Sequence, residues 1–535
     1  MLFVEFRFFV FFALIFCVHW ALPSNTWRKA WLLACSYVFY TCFFIGDPGV
    51  FWEHLRAGEW SQLGVVPGPP GVVPNPNADK NIGWWFPFVL MGSTCMDYAV
   101  GLGIADAKSE GRRKAWLLVS LAINLGVLCF FKYFNFFISS AESFLGWLGL
   151  PASEWTLKIF LPYGISFYTF QSMSYSIDVY RRRLEPVRKF LDLAFFISFF
   201  PQLVAGPIVR AMTFLPQVFE KRRWENVDVR GCLTLFFIGY VKKRCVSENV
   251  APVVDEFFNA PWNFNAYSVA MAVLFYAVQI YCDFSGYTDM AIATARLLGY
   301  ELTINFDFPY FSRNITDFWR RWHISLSTWL RDYLYISLGG NRGTKLFTYR
   351  NLMLTMVLGG LWHGASWNFI IWGAMHGFAL IVHREWQRLT ANANALFKKI
   401  MGWLAMPLTF YWVCLAWIYF RAVNLYTPLL GPDGNAVINN GKKVMVLKET
   451  GLHVANAAVK ALTILHSRGK HTFGWEALAL FVGLALMHWL CYRRTFTEWW
   501  RRTPDWLCSA LLGIGTALAL LFSQPGYKPF IYIQF

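Results

Sequence analysis

Apolar runs of about 20 residues recur along the whole chain, separated by short polar stretches. That is the length a bilayer core of about 30 Å demands of a spanning helix. The pattern predicts candidate spans at 4–22, 28–46, 84–105, 115–138, 157–180, 190–209, 229–246, 265–282, 284–300, 350–364, 366–383, 402–421, 474–492 and 508–523. Several are short or broken, so about 10–12 full crossings are expected. The fold class is therefore an all-α, polytopic integral membrane protein. No internal repeat of fixed period is present, and transporters are often built from such repeats.

Two stretches depart from simple spans. The run 190–209 has basic clusters on both sides and holds Pro201, Gly206 and Pro207. Ends on the same side and a broken middle predict a re-entrant hairpin, which needs protein or a wet cavity around its irregular backbone. From Ile315 to Leu338, helical periodicity gathers Ile315, Phe318, Trp319, Trp322, Leu326, Trp329, Leu330 and Tyr333 on one face. Asp317, Arg320 and Arg331 fall on the other, which predicts a helix lying in the membrane interface.

Composition removes the soluble alternative. Of 535 residues, 56% are hydrophobic and 15% charged, against about 25% charged in soluble domains; the mean hydropathy is +0.38. The net charge of +17 comes from short clusters between apolar runs, such as Arg112–Lys114, Arg181–Arg183, Lys242–Arg244 and Arg493–Arg494. Such clusters mark cytoplasmic loops, so nucleic acid is not an expected partner. On that assignment the N-terminus and the connections 47–83 and 423–473 face outward, and the first apolar run is a retained helix rather than a signal peptide. The eleven cysteines form no CxxC pair and read as small buried hydrophobes. One domain is expected, with N-terminal helices over 1–150, a core over 157–390 and C-terminal helices over 400–535.

Chemistry concentrates between Gln279 and Arg384. Asp283 and Asp289 sit in the apolar block QIYCDFSGYTDMAI. Intramembrane carboxylates face a partner or a cavity; these two either line a site or pair structurally, for instance with Arg296. His323 lies at the edge of the interfacial helix's apolar face, where it either points into a site or meets headgroups. His363 stands in GGLWHGASWNF, as a proton-transfer residue or a packing histidine. His376 and His383 read as interface or helix-end residues. A general base beside a hydroxyl, with a thioester as donor, needs little more for acyl transfer. No GxSxG elbow and no HExxH pair is present, and no metal is expected.

At these residues the chain resembles the membrane-bound O-acyltransferase family, most closely the bacterial branch that acetylates alginate. The carrying blocks are QIYCDFSGYTDMAI, INFDFPYFSRNITDFWRRWHISLSTWLRDYLYISLGGNRG and LMLTMVLGGLWHGASWNFIIWGAMHG. FFKYFNFF, LPYGISFYTFQSMSYSIDVYR, FFPQLVAGPIVR, WIYFRA and the ending KPFIYIQF agree as well. Ser337 stands where relatives commonly carry Pro. The resemblance implies helices around a central tunnel, His363 as the catalytic residue and His323 in the same site. Asn314, Arg320, Trp362, Asp283 and Asp289 are the further expected lining. It also implies acetyl-CoA as donor, an SGNH-like extracytoplasmic partner, a polysaccharide acceptor, and residence among the lipids of a bacterial inner membrane. The rival reading is a transporter exporting a polymer or an acylated intermediate, for which the two aspartates would suit an ion or substrate path.

Overall fold

In lipid, backbone N–H and C=O groups must be satisfied within the segment, and the apolar runs accordingly fold as helices. The structure, a computed structural model, describes residues 3–45, 85–150, 157, 159, 161–423, 425–428, 438–439, 442–443, 445–463, 474–493 and 495–523. The outward connection expected at 47–83, much of the one at 423–473, and the C-terminal block 528–535 lie outside these residues.

The first compact unit comprises residues 1–236 with 287–304. Its helices are α1 (Phe6–Ala21), α2 (Asn25–Ile45), α3 (Phe86–Asp106), α4 (Glu110–Leu128), α5 (Phe134–Trp147), α6 (Ile165–Tyr180), α7 (Phe190–Ser198), α8 (Phe200–Leu203) and α9 (Ala211–Phe219). Two polar pairings are hidden inside this unit: Lys29 pairs with Asp192, and Asp97 accepts hydrogen bonds from Ser120 (3.1 Å) and Asn124 (2.9 Å). The broken middle expected within 190–209 is present. The helix stops at Ser198 and restarts at Phe200 with Pro201 in its first turn, where the missing N–H costs nothing. The segment is buried through Val209.

Helix α10 (Val229–Tyr240) leads into the second unit, residues 237–286 with 305–535. There follow α11 (Glu248–Asn259), α12 (Ala266–Leu297), α13 (Ile315–Arg321), α14 (Ile324–Trp329), α15 (Lys345–His363), α16 (Trp367–Leu389), α17 (Ala395–Arg421), α18 (Gly451–Thr463), α19 (Trp475–Tyr492), α20 (Thr495–Arg502) and α21 (Asp505–Leu521). Two small antiparallel ribbons, Leu425–Pro428 with Met445–Glu449 and Ile438–Asn439 with Lys442–Lys443, interrupt the helical pattern after α17.

Two expectations change here. The spans 265–282 and 284–300 are one helix of 32 residues, about 48 Å long at the helical rise. Asp283, Ser285 and Gly286 lower the hydropathy between them without ending the helix. Conversely, the interfacial helix expected over Ile315–Leu338 is broken after Arg321, and its third part, Leu330–Tyr335, is wound as a π-helix. The segment before it explains the break: Asp307 N–H donates to Arg321 C=O (3.0 Å), and Ile324 N–H donates to Asn305 C=O (2.9 Å). His323 turns the chain there with φ 43°, a left-handed conformation that few non-glycine residues adopt.

Among the described residues five stretches are helices long and apolar enough to cross a membrane, namely Phe86–Asp106, Glu110–Trp147, Ala266–Leu297, Ala395–Arg421 and Trp475–Tyr492. The shorter apolar helices Phe6–Ala21 and Asp505–Leu521 accompany them. On α19, Leu478, Leu480, Val482, Leu486 and Met487 are all exposed. So large an uncovered apolar face is tolerated where the solvent is hydrocarbon. The protein is a multi-pass membrane protein.

Candidate functional site

Helices α15 and α16 form a tight hairpin. A Cβ on Gly360 would run into the carbonyl oxygen of Phe369, and one on Gly373 into that of Met356. Glycine at both positions lets the backbones touch. The connection is held by Ser366, whose hydroxyl accepts the N–H of Asn368 (3.3 Å) and caps α16. The hairpin leaves His363, the last residue of α15, edge-on to Trp372 at 5.1 Å between ring centres and to Phe420 at 5.2 Å.

His323 faces this group from the break between α13 and α14. Its ring lies 6.3 Å from that of His363 and 6.2 Å from that of Trp362, with Phe284 of α12 edge-on at 4.7 Å. Both histidines are buried, His323 completely. His323 Nδ1 is 3.3 Å from Asn305 Oδ1, and that oxygen also accepts the N–H of Ser325 (3.1 Å). An atom that accepts from a backbone amide is the oxygen of the side chain, so Nδ1 must donate to it. This tautomer leaves Nε2 with its lone pair. Burial lowers the His323 pKa to about 3 and keeps the ring neutral.

The arrangement is two imidazoles in an aromatic box. At 6.3 Å between ring centres, a single oxygen atom placed between the rings lies within hydrogen-bond reach of both. Exclusion of water by Trp362, Trp372, Phe284 and Phe420 strengthens each electrostatic interaction inside.

The remaining expected site residues fall in several places. Trp362 touches both histidines, its ring 5.0 Å from that of His363. Asn314 caps α13, accepting from Asp317 N–H (2.8 Å), and lines a cavity of about 430 Å³ with Arg313, His383 and Trp412. Arg320 is exposed. Asp283 is buried in an ion pair with Lys243 and accepts from Ser247 (3.4 Å); Lys243 also stands 3.6 Å from Glu248, which pairs with Arg244. Asp289 is half-buried and belongs to the first unit, whereas both histidines belong to the second.

Sequence reasoning missed Asn305, Phe284, Trp372 and Phe420. It also placed His376 at an interface or helix end, but this residue is fully buried in the middle of α16, 5.1 Å from Trp319 and 4.8 Å from Trp372 between ring centres. Its helix runs to Leu389, farther than the apolar run suggests. No spacing rule could have found these residues, since the rings arrive from separate helices; Asn305 was at least inside the block INFDF.

A many-spanned helical protein with paired, buried imidazoles has the makings of an acyl-transfer catalyst. Residues 123–427 match the family model described as MBOAT, membrane-bound O-acyltransferase family, and the chain belongs to that family of acyltransferases. It is 44% identical over 346 residues to the probable alginate O-acetylase AlgI of Pseudomonas aeruginosa, covering 64% of this chain and 65% of that protein, a little under two thirds of its length. The peptidoglycan O-acetyltransferase of Helicobacter pylori is 36% identical over 477 residues, 84% of this chain and 87% of that one. The teichoic acid D-alanyltransferase of Bacillus subtilis is 28% identical over 272 residues, 48% of this chain and 68% of that protein.

Proposed function

We propose that this protein takes acetyl from acetyl-CoA at the cytoplasmic face of a bacterial inner membrane and passes it through a tunnel for O-acetylation of an extracytoplasmic polysaccharide such as alginate, with an SGNH-like protein completing the transfer. The observation that carries the reading is the pairing of His363 and His323 across 6.3 Å inside an aromatic enclosure. The names of the relatives, which span alginate and peptidoglycan acetylation, support the acyl group and the polymeric acceptor.

His363 acts as general base or as transient acyl acceptor. As a base it takes the hydroxyl proton while the oxygen bonds to the thioester carbonyl carbon. The C–S bond then breaks, and the leaving thiolate recovers that proton as thiol. His323, neutral and presenting Nε2 as an acceptor, cannot donate to the oxyanion; it stabilises the positive charge that develops on His363 instead. Trp362 and Trp372 hold the ring of His363 in place. Asp283 does not argue for the transport reading, because its ion pair with Lys243 accounts for a buried carboxylate.

The test uses the full chain in vesicles with acetyl-labelled CoA on one side and an acceptor glycan with the SGNH-like partner on the other. His363→Ala is expected to keep its melting temperature and lose transfer by roughly 10²- to 10⁴-fold, the usual worth of a positioned base. A folded His363→Ala protein with normal transfer ends this mechanism. A rapid denaturing quench at neutral pH separates the two roles, since a labelled acetyl group recovered on His363 identifies an acyl acceptor.

A further inference from the structure

We propose that the first unit carries a binding site for the phosphate of an anionic phospholipid, in the cavity of about 760 Å³ at the end of α1. One wall is aromatic. Trp224 stands edge-on to Phe16 at 5.6 Å and to Trp20 at 5.4 Å between ring centres. The other wall is cationic, with Arg28, Lys221, Arg222 and Arg223, opposed on the lining by Glu225.

Two of these cations are set in place before any ligand arrives. Arg28 is buried, donates through Nε to Leu22 C=O (2.7 Å) and through Nη1 to Arg222 C=O (2.8 Å), and lies 5.1 Å over the ring of Trp20. Arg222 is anchored by Nη2 to Gln217 C=O (2.6 Å) and to Glu220 (2.8 Å). Its Nε is buried and has no hydrogen-bond partner among the described residues. A buried donor left unpaired is unfavourable, and a phosphate oxygen would satisfy it. Lys221 and Arg223 are exposed at the rim, where they add field without structural duty.

The cavity's position favours a lipid over a soluble phosphate. Phe6, Phe9, Val10 and Leu14 of α1 are exposed, so this helix offers acyl chains an apolar track. The track ends at Trp20 and Arg28, the residue types that mark the headgroup level. A headgroup in the cavity with its chains along α1 uses both features at once.

The full chain, purified in nanodiscs of mixed phosphatidylcholine and phosphatidylglycerol, can be released into native mass spectrometry and its retained lipid identified. Retention of phosphatidylglycerol at least roughly fivefold above its bulk share is expected. The exposed pair Lys221→Gln/Arg223→Gln should bring that enrichment down close to the bulk share, since each cation near the surface contributes as juxtamembrane charges do, with the melting temperature unchanged. Trp224→Ala should weaken retention of both lipids without altering the preference. Equal retention of the two lipids by the unsubstituted protein overturns the site, as does a preference that survives the Lys221/Arg223 change. Displacement of the lipid by millimolar inorganic phosphate would instead identify a soluble-phosphate site and overturn the lipid assignment.

Discussion

Asp283→Asn should unfold the second unit more readily while leaving the chemistry of the surviving folded protein intact. Lys243 and Asp283 are each 2% exposed, and Glu248 stands 3.6 Å from the Lys243 ammonium but is also engaged by Arg244. The four groups balance as two positive and two negative charges. Neutralising Asp283 leaves one buried positive charge without a full partner, a loss of about 3–5 kcal/mol in comparable buried pairs. Adding Lys243→Met restores the balance, with Arg244 and Glu248 still paired, so the double variant should regain a large part of that loss despite carrying two changes. Thermal unfolding of the purified protein, followed by the fraction that stays monodisperse, measures both, and acetyl transfer is assayed well below each midpoint. If Asp283→Asn melts like the unsubstituted protein yet fails to transfer, the carboxylate belongs to the chemistry and the ion-pair account is wrong. A double variant weaker than the single one is equally damaging to it.

At His323 two substitutions separate backbone from ring. Asn tolerates the left-handed backbone, so His323→Asn should fold and lose transfer, whereas β-branched His323→Val should lower the melting temperature because it cannot adopt φ 43° without strain. Gly360→Val should cost about 1–3 kcal/mol of stability by pushing α15 away from Phe369, seen as a lower melting temperature and, since His363 rides on the same helix, as lost transfer at permissive temperature. Loss of neither would mean the hairpin has slack that the backbone contact denies.

Much of the architecture was legible because a bilayer imposes one length on apolar helices, and the runs ending at Ala21, Asp106 and Arg421 fall close to their expected limits. Hydropathy failed where polar residues are partnered inside the fold. Asp283 looked like a boundary but sits within α12, since Lys243 from another element neutralises it. Periodicity failed at Trp322–His323 for the opposite reason: the helical pattern continues through the break, and only the pairing with Asn305 and Asp307 shows why the helix does not. For the site, motif context singled out His323, Trp362 and His363, and the fold brings these three together. The packing partners Trp372, Phe284 and Phe420 come from three further helices and follow no spacing in the chain. Asn314 and Arg320 lie near His323 in sequence, but helix geometry sends one to a cap and the other to the surface.

The dry aromatic enclosure has a consequence for how the cycle closes. Transfer of an acyl group from a thioester to a hydroxyl consumes one O–H and creates one S–H, so protons are conserved over a turnover. A site that holds one neutral histidine in a fixed tautomer and moves a proton through the other returns to its starting state without exchanging hydrogen with the aqueous phase. The walls that keep water away from a hydrolysable thioester therefore need no proton channel through them.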